Sequence, residues 1–151
     1  MHEPQIGVKT IRKDAWDKVT GKAKYTGDIH FNDSLHARVL TSPHAHALIK
    51  NIDTSKAEAS KGVRAVITGE FSNVLTGSMI RDRLPIAKDI VRHFGEVVAL
   101  VVADNEAEAF SAVNLIEVEY EPLPVVNSIK DALKKDATLV HRDLGRYTCP
   151  S

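Results

Sequence analysis

The sequence predicts an α+β fold, a mixed sheet with helices packed on it, and three observations carry that expectation. Val97 to Ala103 is an unbroken apolar, β-branched run of strand length. Two other stretches, Leu35 to Val39 and Ile116 to Glu121, alternate apolar with polar residues. Between them lie short segments with helix-start signatures, and the order strand, strand, helix, strand, loop, strand, helix, strand is that of an α+β domain.

The elements follow in chain order. Residues 1–33 carry many charged side chains and glycines with no sustained period, and read as an extended arm. Leu35, Ala37 and Val39 alternate with His36 and Arg38, as in a half-buried strand that Pro43 ends. A second strand is expected over 47–52. Asp53, Thr54 and Ser55 then offer N-cap side chains, with Glu58 three residues after Ser55 as in a capping box, so a short helix starts here. Gly62 suits its left-handed end, and 63–67 resumes a strand. Residues 69–89 are too irregular for an element and read as a long loop. Val97 to Ala103 is the central strand, covered on both faces.

Asp104 or Asn105 can cap a following helix with Glu106 and Glu108 in its first turn and Ala107, Phe110 and Asn114 along one side. Ile116, Val118 and Tyr120 then alternate with Glu117, Glu119 and Glu121 until Pro122 and Pro124 stop the strand. Strand, helix and strand here form one unit of the sheet. Ser128, with Asp131 three residues on, opens a last helix presenting Ile129, Ala132 and Leu133. The expected division is 1–33 arm, 34–135 folded domain, and 136–151 tail or start of a linker to further domains.

Composition narrows the function. The 151 residues suffice for one domain with a core, and 20 basic residues balance 20 acidic ones, so no polyanion-binding surface is marked and nucleic acid is not an expected partner. No apolar stretch has the length of a membrane span, the start of the chain resembles no export signal, and the only cysteine is Cys149; a cytoplasmic location is expected. The glycines form neither G-x-G-x-x-G nor a phosphate loop, and H-E-x-x-H and G-x-S-x-G are absent. His44 and His46 could project together from an extended strand towards a metal, with His36 or His93 as a third ligand, or could simply pack at a strand start. Asp14 with Asp17, or Glu117 with Glu119 and Glu121, could be paired carboxylates for acid-base chemistry, or solvated faces.

Several motifs in one order are not explained by periodicity. They are Arg12, Asp14, Lys18-Val19-Thr20-Gly21, Ala23, Tyr25 and Asp28; then Ser42-Pro43-His44-Ala45-His46-Ala47; then Val91-Arg92-His93-Phe94-Gly95-Glu96; then Val118-Glu119-Tyr120-Glu121-Pro122-Leu123-Pro124. Together they resemble the start of the large subunit of molybdenum hydroxylases, the xanthine dehydrogenase and aldehyde oxidase family. Thr41 and Val97 depart from that pattern, which often has arginine before Ser-Pro-His and proline after Gly-Glu. The resemblance implies the α/β hammerhead fold over 34–135. It also implies a parent enzyme that hydroxylates a heterocycle or an aldehyde at molybdopterin-bound molybdenum and passes electrons to iron-sulfur and often flavin (FAD) partners.

The same resemblance puts the family's cofactor loops and catalytic glutamate in later domains. It therefore assigns no catalytic, cofactor-binding or metal-binding residue to this chain, which would act with the remaining molybdenum-binding domains or subunit. Arg12, Lys18 and Tyr25 of the arm, and the loop with Arg92, Gly95 and Glu96, are the candidate docking surface, because core packing does not account for such polar, glycine-containing segments. Surface turns and staples are the alternative. Two other functions stay open: a free-standing adaptor of the same fold, and a small metal-binding protein using the histidine pair.

Overall fold

Val97 to Ala103 forms the middle strand of a three-stranded sheet, as its apolar run requires. The computed structural model describes residues 7, 10–78 and 81–142. The chain divides into two compact units, Met1–Ser34 and Leu35–Ser151. Cys149 and most of the expected tail lie outside the described residues.

In the first unit, Ala15–Val19 forms a single helical turn, α1, and Thr26–Asp28 a 3-10 turn. The arm is therefore not extended throughout, because Asp14 gathers Arg12 and Lys18 around it and fixes the turn. None of its described residues is buried, and Ile11, Trp16, Val19 and Phe31 are all exposed.

In the second unit the strands are β1 (His36–Thr41), β2 (Ala47–Asp53), β3 (Val63–Thr68), β4 (Ile90–Val91), β5 (Val97–Ala103) and β6 (Glu117–Pro122). The helices are α2 (Ser55–Glu58), α3 (Glu106–Val113) and α4 (Ile129–Ala132). The α+β class holds. The single mixed sheet expected from the sequence is instead two sheets, ordered β1-β5-β3 and β4-β2-β6, with every ladder antiparallel. Alternation shows that a strand has an inner face but not which sheet it joins, so β5, α3 and β6 look like one unit in the sequence although α3 joins strands of different sheets.

The core lies where the sheets and α3 meet. Ala99 and Val101 of β5 pack with Ala57, Ala112, Val113 and Ile116, while Val98 packs with Ala47, Ala87 and Val91. Ile52 and Val118 touch both clusters and so join the two sheets.

Asn105 caps α3, its side chain accepting the Glu108 N–H at 2.9 Å. Ala107, Phe110 and Asn114 share one side of α3, and it is the exposed one, while Ala109, Ala112 and Val113 are buried on the other. Phe110, the largest apolar residue of the helix, lies on that exposed side, with the Arg38 guanidinium 5.7 Å from its ring centre.

Four smaller corrections concern exposure, caps and a turn. β1 is mostly exposed rather than half-buried. Ser55 does not cap α2; Asp53 accepts the N–H and hydroxyl of Ser55, and the Thr54 hydroxyl donates to Glu58 at 2.6 Å. Ser128 does cap α4, accepting the Asp131 N–H at 3.0 Å, but Ile129 and Leu133 stay exposed. Gly62 adopts a φ of 79°, in the turn after α2 rather than at its last residue.

Candidate functional site

Three of the motifs separated in sequence meet in space. Ser42 follows β1 in a turn that its own hydroxyl closes, accepting the His44 N–H and donating to the His44 carbonyl, both at 3.0 Å. That turn pairs with the loop before β5. The Ser42 N–H donates to the Glu96 carbonyl at 2.8 Å and the Gly95 N–H donates to the Ser42 carbonyl at 2.9 Å. On its other side the Leu123 N–H donates to the His46 carbonyl at 2.9 Å, and His46 Nδ1–H donates to the Pro124 carbonyl at 2.7 Å. The serine-proline-histidine turn is thus the knot between the Gly-Glu loop and the Pro-Leu-Pro segment.

The loop has its own closure. Gly95 takes a φ of 80°, which a side chain rarely adopts, and this brings Glu96 back over Arg92. The Glu96 carboxylate accepts the Arg92 N–H, and the residue is only 7% exposed. Ser42, His46 and Glu96 are the buried polar residues among those described, and each is bonded to backbone.

The expected docking residues fall in both units. In the first, Arg12 and Lys18 converge on Asp14, at 2.5 and 2.6 Å, and the pull of Lys18 and then Arg12 holds its carboxyl below the usual range. The Tyr25 N–H donates to Asp28 at 2.9 Å while its side chain stays exposed. In the second, Arg92, Gly95 and Glu96 share one loop, with Phe94 exposed at its tip. Arg92 lines a cleft of about 250 Å³ with Leu48, Asp89, Ile90 and Val140, and its Nε is buried without a hydrogen-bond partner.

The histidines are not on one strand face. His46 is buried, His44 stacks edge-on against Tyr120 with ring centres 4.9 Å apart, and His36 and His93 are exposed. Among the described residues no group of three or more His, Cys, Asp or Glu is placed to hold a metal ion. Glu117 and Glu121 are exposed ion-pair partners of Lys56 and Lys50. Burial pushes the Tyr120 phenol above its ordinary value, with Ser42 acting in the opposite direction.

Ser42, His46 and Tyr120 stand out in the sequence as pattern only, with no role as a knot. Ser-Pro-His, a serine turn held by proline, is the signal that points to one.

A cleft of about 340 Å³ runs between Ile49–Ile52 and Gly69–Glu70 with Lys50 and Lys88 on its walls. A pterin cofactor with its phosphate needs unpaired cations or a nest of free N–H groups. Lys88 is paired with Glu70 at 2.8 Å and Lys50 with Glu121 at 2.5 Å, so neither lysine of this cleft is an unpaired cation for such a phosphate. Among the described residues no helix is long and apolar enough to cross a membrane.

The model of the aldehyde oxidase and xanthine dehydrogenase a/b hammerhead domain matches residues 20–124. A probable xanthine dehydrogenase chain of Bacillus subtilis is 39% identical over 135 residues, covering 88% of this chain and 18% of the relative. The nicotinate dehydrogenase large molybdopterin subunit of Eubacterium barkeri is 34% identical over 140 residues, covering 91% of this chain and 33% of the relative. Among solved structures, the Cu,Mo-CO dehydrogenase in its carbon monoxide reduced state superposes with a TM-score of 0.84 at 35% identity, over 94% of this chain and 18% of that one. The chain thus spans a third or less of the length of these proteins.

Proposed function

Because the chain belongs to the aldehyde oxidase and xanthine dehydrogenase family, with that family's a/b hammerhead domain over residues 20–124, we propose that it serves as the structural and docking module of a molybdopterin-dependent hydroxylase large subunit. The single observation that carries this reading is the use made of the motif residues: Ser42, His46 and Glu96 are buried and bonded to backbone. Side chains so engaged hold a shape rather than meet a substrate.

The parent enzyme hydroxylates an aldehyde or a nitrogen heterocycle, with molybdenum supplying the oxygen transfer and iron-sulfur and flavin partners taking the electrons, in the cytoplasm. The module contributes a two-sheet body, with the loop of Arg92, Gly95 and Glu96 and the side chains of Arg12, Lys18 and Tyr25 as contact points. This chain by itself has no turnover. The purified chain, offered aldehydes and purines with an artificial electron acceptor, and titrated with molybdopterin, is expected to show neither oxidation nor binding. Turnover or stoichiometric cofactor binding by the chain alone overturns the reading.

A further inference from the structure

The sheet β1-β5-β3 has two faces, and α3 packs on the one that carries Ala99 and Val101. Residues opposite one another in the ladders share a face. Arg38, Val101 and Val66 stand in one row, and Leu40, Ala99 and Thr68 in the next. These look towards α3 and the core, where Ala99 and Val101 are fully buried. The alternate rows are Ala37, Val102 and Ala65, and Val39, Leu100 and Ile67. All six are apolar.

Their exposure is unlike that of the inner face. Val39 is 48% exposed, Ala37 and Ala65 are exposed, and Leu100, Val102 and Ile67 are only partly buried. Strands at a sheet edge are ordinarily protected by charged side chains on an open face. Here both edge strands present alanine, valine and isoleucine instead. A six-residue face with no polar group is the composition of a permanent, water-excluding contact and not of a transient one.

We infer that this outer face, formed by Ala37, Val39, Ala65, Ile67, Leu100 and Val102, docks against an apolar surface of the rest of the hydroxylase large subunit. The inference rests on the function proposed above. The occupant is chosen by length: in the relatives the same fold is 18% to 33% of a longer chain, so most of the polypeptide remains to cover it. A second copy of this chain is the competing occupant.

The test is thiol protection in the native assembly. Cysteines are introduced one at a time as Val39→Cys, Ala65→Cys and, on the exposed side of α3, Phe110→Cys. Labelling at each position is read by peptide mass spectrometry, in the purified chain and in the native species carrying it, whose mass is measured in parallel. All three positions are exposed, so the substitutions are compatible with folding, which circular dichroism checks.

Labelling at 39 and 65 is expected to be roughly tenfold or more slower in the native species than in the chain alone, with position 110 the reference. Free labelling at 39 and 65 within a larger molybdenum-containing species overturns the docking face and leaves the proposed function standing. Protection in a species of two copies of this chain overturns the choice of occupant. A native species consisting of this chain alone and monomeric overturns both.

Discussion

Replacing Glu96 separates a loop staple from a docking contact. Its carboxylate accepts the Arg92 N–H inside the loop that Gly95 turns, and only 7% of the residue reaches solvent. Glu96→Ala removes a charged acceptor and leaves a part-buried N–H without a partner, which amounts to about 2 to 3 kcal/mol of lost stability. At roughly 2 to 4 °C per kcal/mol for a chain of this size, the thermal midpoint falls by about 5 to 10 °C. Glu96→Gln keeps an oxygen to accept the N–H and loses about 1 kcal/mol. Urea unfolding followed by circular dichroism measures both. If Glu96→Ala unfolds within about 0.5 kcal/mol of the parent, the carboxylate is not what closes the loop, and the reasoning fails.

Further outcomes are expected elsewhere in the fold. A Cβ at Gly69 would sit 2.5 Å from the Ala87 carbonyl oxygen and the Lys88 Cα, both backbone, so Gly69→Ala forces two segments apart and destabilises by about 2 kcal/mol or more. At Gly62 the Cβ would meet the Glu108 carboxylate, which can swing away, so adding Glu108→Ala to Gly62→Ala restores only the steric part and leaves about 1 kcal/mol from the φ of 79°. Asn105→Ala removes the α3 cap and lowers stability by about 1 kcal/mol in the same unfolding assay. Asp104, hydrogen-bonded by Arg64, and Asp131, hydrogen-bonded by Lys134, titrate below their ordinary range. A lowered folded-state value means the unfolded chain takes up protons first, so this stabilisation is present above about pH 4 and is lost on further acidification. A melting midpoint that falls from pH 5 to pH 3, with a shallower fall in Arg64→Met, is the expected profile.

Much of the element order is legible because it depends on local chemistry. Val97 to Ala103 is too apolar to be anything but the middle strand of its sheet, although Leu100 and Val102 are only partly buried where the sequence predicts cover on both faces, and Asn105 and Ser128 cap where their spacing to Glu108 and Asp131 places them. Sheet membership is not legible. One partner of β2 is β6, more than sixty residues away, and alternation in each strand is satisfied equally by one sheet or two. The α3 face is hidden for a related reason: two alanines and a valine bury against β5 while Phe110 lies under Arg38, so residue size points the wrong way. At the site, the Gly-Glu loop stands out in the sequence as polar and unexplained, but its explanation is long-range. Ser42 lies more than fifty residues before Glu96, and only the fold shows that each bonds the other's segment.

Whether this chain works as the hammerhead module of a molybdenum hydroxylase is decided by capturing the native species with an antibody to the chain and determining its polypeptide mass and molybdenum content. A module of that kind is found in a polypeptide several times larger than 16.6 kDa, or in a tight complex of that size, carrying molybdenum. A free 16.6 kDa chain with no molybdenum protein bound to it contradicts that role and returns the fold to an independent adaptor.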